Sequence, residues 1–237
     1  MIQLQEVVIQ SLSGRDILVD VTQTFPSHKT SYVIGKSGEG KSTLLKAIFG
    51  ELPVISGKIE LDNEELIYDS LQSVLSNRRK IGFIFQDFRL IESLTVFENI
   101  AYVLHIQNES SEKIKKQVQK IAYELGIEKK LNNYCDQISI GEQQRVAIAR
   151  ALIKEPSLIL ADEPTGNLDP IKAREIMNII NETSLKRNVT AIVVTHDYAL
   201  IPKNEKNIYK IQNMKIQKVE KGERYESTKK FNEDYSK

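Results

Sequence analysis

The feature that most constrains this 237-residue chain is the octapeptide Gly35-Lys36-Ser37-Gly38-Glu39-Gly40-Lys41-Ser42. It matches the phosphate-loop pattern G-x-x-x-x-G-K-[ST]. It stands between an apolar run, Ser31-Tyr32-Val33-Ile34, and a run at helical spacing that begins Thr43-Leu44-Leu45. Such a loop requires a strand entering it and a helix leaving it. Glycines let successive N–H groups curve around an anion, and the helix start adds unsatisfied donors and a positive dipole end. Residues Gly35 to Thr43 are therefore candidate phosphate contacts, with Lys41 expected to reach the terminal phosphates and Ser42 to ligate Mg²⁺.

The surrounding pattern predicts an α/β fold. Ile2, Leu4, Val7 and Ile9, then Ile17, Val19, Val21 and Phe25, alternate roughly as half-buried strands do. From residue 31 onward the pattern changes to short continuous apolar runs, at 31–34, 81–85, 158–161 and 191–194, separated by helical stretches. That is how a parallel sheet covered on both faces reads. Residues 92–155 read as mostly helical, at 96–106, 112–125 and 141–153, and are expected to form a helical subdomain. A hairpin is expected around Gln212-Asn213, and residues 221–237 read as a polar, frayed tail.

Four polar residues fall at or just past the ends of three of these apolar runs: Gln86, the pair Asp162-Glu163, and His196. Ligands of open α/β sheets collect outside the carboxyl ends of the strands, so these residues are expected to converge with Lys41 on one nucleotide. Asp162 is expected to hold Mg²⁺, Glu163 to act as general base, Gln86 to contact the metal and water, and His196 to sense the γ-phosphate. Ser139 and Glu142 have capping-box spacing at the start of a helix, as either a structural cap or an anion-facing helix start with Gly141. Asp169 before Pro170 is a good N-cap and N1 pair for the next helix.

Composition narrows the remaining options. With 33 Lys+Arg against 32 Asp+Glu the formal charge is +1, against the basic excess of a nucleic-acid-coating protein. A lone cysteine, Cys135, and three histidines exclude an intrachain disulfide and a Cys/His metal site, which fits a reducing compartment. No signal peptide is expected, and no apolar run approaches the ~20 residues needed to cross a bilayer. Any work at a membrane is then expected to go through a partner.

In this order, the motifs resemble those of the ATP-binding cassette (ABC) ATPases over residues 1 to about 220. The resemblance implies a P-loop NTPase fold with an N-terminal antiparallel β subdomain and an inserted helical subdomain. It also implies Mg-dependent ATP hydrolysis. Ser139, Gly141, Glu142 and Gln143 would be the signature that completes the ATP site of a second copy in a head-to-tail homodimer, with Asp169 in the dimer loop.

Phe85-Gln86-Asp87-Phe88-Arg89-Leu90, Thr95-Val96-Phe97-Glu98-Asn99-Ile100, Gly166-Asn167-Leu168-Asp169-Pro170 and Thr195-His196-Asp197-Tyr198-Ala199-Leu200 are similar to the FtsE-like cell-division branch. That branch works on the cytoplasmic face of the cell membrane with an FtsX-like integral partner, in the control of cell-wall hydrolysis. The resemblance also admits the ATPase of a lipoprotein-releasing or macrolide-export transporter, and a weakly hydrolysing, ATP-gated interaction module. The chain departs from the family in two places: Ile140 replaces the usual signature glycine, and Ser11 stands where an aromatic residue usually stacks on adenine. Slower closure or hydrolysis is expected from the first, and weaker, less selective nucleotide binding from the second.

Overall fold

The computed structural model describes residues 1–219, so the expected polar tail lies outside the described residues. The two expected strands, β1 (Ile2–Gln10) and β2 (Asp16–Phe25), pair antiparallel, in keeping with the N-terminal antiparallel β subdomain that the resemblance implied. On the other side of β1 lie β4 (Val54–Leu61) and the short β5 (Glu64–Glu65), giving a four-stranded sheet of order β2-β1-β4-β5. This second half was not foreseen. Only Ile59 and Leu61 of β4 are buried, so its alternation is faint, and its place depends on pairing with β1.

The second sheet has six strands in the order β10-β9-β3-β8-β7-β6. Its strands β3 (Thr30–Ile34), β6 (Ile81–Ile84), β7 (Leu158–Asp162) and β8 (Thr190–Val194) are parallel and buried at every position, which is why they read as continuous apolar runs. Strand β9 (Ile208–Gln212) joins them in parallel, and β10 (Lys215–Lys218) turns back antiparallel. The turn between β9 and β10 pivots on Asn213 and Met214, both with positive φ, one residue later than expected. The Met214 carbonyl accepts from Val19 N at 3.0 Å, tying the two sheets together.

Among the described residues six α-helices complete the fold: α1 (Lys41–Ile48), α2 (Leu71–Lys80), α3 (Val96–Ile106), α4 (Ser111–Glu124), α5 (Ile140–Leu152) and α6 (Pro170–Lys186). Helices α3, α4 and α5 begin where Thr95, Ser110 and Ser139 cap them, within a residue of the expected bounds. The pleat of β7 divides the core. Leu158 and Leu160 face Leu44, Leu45 and Ile48 of α1, together with Ile2, Leu4 and Phe25. Ile159 and Ala161 face the other way, into a core built with Ile176 and Ile180 of α6 and with Val146 and Ile148 of α5. At about 1.5–3 kcal/mol for each fully buried aliphatic side chain, both faces contribute to stability. Among the described residues, no helix is long and apolar enough to cross a membrane.

Candidate active site at the strand ends

The loop between β3 and α1 is shaped by backbone that only glycine adopts easily. Gly40, the N-cap of α1, has φ 98°, and a Cβ there would stand 2.7 Å from Ile17 Cγ2. No side chain caps α1, so its first N–H groups are left for another acceptor. Lys41 is buried, 5% exposed, and its Nζ donates to the carbonyl oxygens of Gly35 and Lys36, both at 2.9 Å. An ammonium has three N–H donors, so one remains for an anion in the loop. The Glu39 carboxylate accepts from Lys36 N at 2.6 Å and braces the outer turn.

Ser42 Oγ donates to Asp162 Oδ1 at 2.8 Å, bringing the first turn of α1 to the end of β7. Burial pushes the Asp162 carboxyl above the usual carboxylate range, while the bond from Ser42 and the nearby Lys46 pull it back. A hydroxyl and one carboxylate are hard oxygen donors. They fit Mg²⁺, which is commonly held by one or two carboxylates with phosphate and water completing its shell. Among the described residues there is no cluster of three or more His, Cys, Asp or Glu that could hold a metal without such outside ligands.

Glu163 follows directly. Its backbone is left-handed, φ 43°, a strained setting for a non-glycine residue, and is held by Glu163 N donating to the Val194 carbonyl at 3.0 Å. Its carboxylate Oε2 lies 3.0 Å from His196 Nδ1. Gln86 shares the space: a Cβ built on Gly166 would stand 3.6 Å from Gln86 Nε2 and 3.9 Å from Glu163 Oε2. The strand order β3-β8-β7-β6 therefore lines up the phosphate loop, His196, Asp162-Glu163 and Gln86 along one edge of the sheet.

Ser139, Gly141 and Glu142 do not join them. They line a cavity of about 260 Å³ with Arg145 and, from α6, Lys172 and Glu175, and none of residues 35–43 lines it. Ser139 and Glu142 make the full capping box: Glu142 N donates to Ser139 Oγ at 3.3 Å and Ser139 N to Glu142 Oε2 at 2.8 Å. Gln143 Nε2 donates to the Cys135 carbonyl at 2.7 Å. Ile140 occupies the first helical position, 51% exposed and without positive φ, the register expected for it.

Asp169 caps α6, accepting from the N–H groups of Ile171 and Lys172, both at 3.1 Å. The Lys172 ammonium lies 3.2 Å from the same carboxylate, and its stem lies against Gly141. Sequence reading missed this link between the Asp169 loop and the signature. Its only local sign is a lysine three residues after the cap. At the β1–β2 turn, Ser11 Oγ accepts from Arg15 N at 3.1 Å and serves the turn itself.

A family model described as ABC transporter matches residues 18–166. The chain is 37% identical over 213 residues to the cell division ATP-binding protein FtsE of Bacillus subtilis, a match that covers 90% of this chain and 93% of that one. It is 40% identical over 169 residues to the methionine import ATP-binding protein MetN of Carboxydothermus hydrogenoformans, 71% of this chain and 50% of that protein. Among solved structures it superposes with a TM-score of 0.81 and 31% identity on the ATP-binding cassette MJ0796, a dimer in a post-hydrolysis state bound to ADP and Pi, covering 93% and 99% of the two chains. The fold, the row of strand-end residues and these likenesses agree: the chain belongs to the ABC transporter family of ATP-binding proteins.

Proposed function

We propose that this chain, an ATPase by family, is the ATP-hydrolysing subunit of an FtsE-like complex in cell division, held at the cytoplasmic face of the membrane by an FtsX-like partner. The likeness to FtsE along nearly the whole of both chains supports this branch over the import ATPase, of which half is matched. The N–H groups of the phosphate loop and of the first turn of α1, with the remaining N–H of Lys41, bind the phosphates. Ser42 and Asp162 would hold Mg²⁺, whose charge, when it is bound, offsets that of the phosphate oxygens. Glu163 accepts the proton of the attacking water, and Gln86, beside it, orients that water. His196, whose Nδ1 lies 3.0 Å from Glu163 Oε2, stands beside that carboxylate and senses the γ-phosphate.

The observation that carries the reading is the separation of two half-sites. Ser42–Asp162 and Glu163–His196 share one mouth, while Ser139 and Gly141 line another. A second copy, head to tail, brings its signature to the first copy's nucleotide.

The test is size-exclusion chromatography of wild type, Glu163→Gln and Lys41→Ala with and without ATP and Mg²⁺, followed by affinity isolation of Glu163→Gln from gently solubilised membranes. The expected results are an ATP-dependent dimer of Glu163→Gln alone and recovery of one polytopic membrane protein with division-site components. Equal hydrolysis by wild type and Glu163→Gln would overturn the general-base assignment. Recovery of a lipoprotein-release or exporter permease would overturn the cell-division branch.

A further inference from the structure

The Gln86 loop is held from a direction that the sequence motifs do not announce. Phe88 and Arg89 are consecutive non-glycine residues with left-handed backbone, φ 59° and 47°. Sterics disfavour each, and such a pair persists only where its surroundings over-determine it. Arg150 supplies the constraint. Its Nη2 donates to the Phe88 carbonyl at 2.6 Å and its Nη1 to the Arg89 carbonyl at 2.5 Å. A rigid planar fork meets two adjacent carbonyls at once, which the flexible single-point ammonium of lysine does not reproduce.

The near side of Gln86 is fixed as well. The Arg89 guanidinium lies 3.9 Å over the Phe85 ring, and Phe85 stacks on Phe83 at 4.2 Å between centroids. Arg150 itself stands in the last turn of α5, the helix whose first turn carries the signature.

We propose that Arg150 is a positioning residue for hydrolysis: by clamping the Phe88–Arg89 turn it sets Gln86 beside Glu163. This rests on the role given to Gln86 above.

The test uses the full chain with Arg150→Lys, Arg150→Met and Gln86→Ala. Amide hydrogen exchange of residues 86–91, steady-state kcat and KM for ATP, and the thermal midpoint are measured for each. Both Arg150 variants are expected to exchange the loop amides faster than wild type and to lose about tenfold or more in kcat, the scale of effect of a small misplacement of a reacting group. KM is expected to stay within about twofold, since phosphate binding lies elsewhere.

If Arg150→Met does not fold, Arg150→Lys carries the test, since it keeps the charge and an aliphatic stem. Unchanged loop exchange in Arg150→Lys would overturn the clamp. Faster exchange with unchanged kcat, where Gln86→Ala lowers kcat, would overturn its role in positioning. Wild-type kcat in Gln86→Ala would remove the role of Gln86, and with it the consequence for hydrolysis. The clamp itself would still stand or fall on the loop's exchange.

Discussion

Two glycines at opposite ends of α5, Gly141 within its first turn and Gly82 packed against its last, are expected to respond to the same substitution in opposite ways. In β6, a Cβ on Gly82 would stand 2.6 Å from the Ala151 carbonyl oxygen, 3.2 Å from its carbonyl carbon and 3.1 Å from Pro156 Cγ. An ordinary C···O approach is about 3.3 Å or more, so Gly82→Ala requires the end of α5 to retreat from the sheet by roughly 0.7 Å. The opposing atoms are backbone and a proline ring, which cannot rotate aside. Overpacking of this kind costs about 1–3 kcal/mol, and at about 2–4 °C per kcal/mol for a domain of this size the thermal midpoint falls by about 2–12 °C.

On Gly141 the atoms nearest the same methyl belong to the Lys172 side chain, Cδ at 3.2 Å and Cε at 3.9 Å, an exposed flexible stem that can shift although its ammonium pairs with Asp169. Replacing a helical glycine by alanine there contributes up to about 1 kcal/mol in favour of α5. Gly141→Ala is therefore expected to melt at or above the wild-type temperature while losing ATP hydrolysis, because the methyl stands in the signature cavity. The assay is circular dichroism melting beside steady-state hydrolysis. A wild-type midpoint for Gly82→Ala, or early melting of Gly141→Ala, would refute the steric reasoning.

Three further outcomes are expected. Glu163→Gln keeps nucleotide binding and loses about 10²–10⁴-fold in kcat, the usual contribution of a general base, as measured by phosphate release. Ile140→Gly costs α5 about half a kcal/mol in helix propensity yet raises the hydrolysis rate by uncrowding the signature face; an unchanged rate counts against a functional cost of Ile140. Lys154, whose ammonium donates to the Arg78 carbonyl, has its pKa pushed down to about 8, chiefly by burial and then by Arg78. Between pH 8 and the ordinary lysine value the unfolded chain holds a proton that the folded one has released, so stability rises with pH in that window. With allowance for partial exposure the gain over Lys154→Met is about 1–2 kcal/mol between pH 8 and 10, and parallel urea midpoints for the two proteins would sink it.

Much of the site was legible because its residues are marked by local rules. The phosphate loop needs glycines and a helix start in immediate succession, and Asp162, Glu163, Gln86 and His196 stand at or just past strands that are apolar at nearly every position. Ser139 and Asp169 cap the helices their spacing implied. Strand β4 was less legible, with two buried residues to signal it, and α2 shows a single buried residue, Asn77. Arg150 and Lys172 were silent for a different reason: each acts on residues far from it in the chain, Arg150 on Phe88 and Arg89, Lys172 on Gly141.

By itself, then, the sequence determined the kind of site: a strand, a glycine loop and a helix start that bind phosphate, with acids, an amide and an imidazole placed at other strand ends. Those are short-range properties, set by periodicity, caps and backbone freedom. What only the tertiary structure decided is which strand end lies beside which. Chain order runs β3, β6, β7, β8, but the sheet runs β3-β8-β7-β6, and that reversal puts His196 next to Glu163 and closes Gln86 onto the same space. Adjacency in a parallel sheet is settled by long-range pairing and by the two cores packed on its faces, and no single stretch of sequence carries that information.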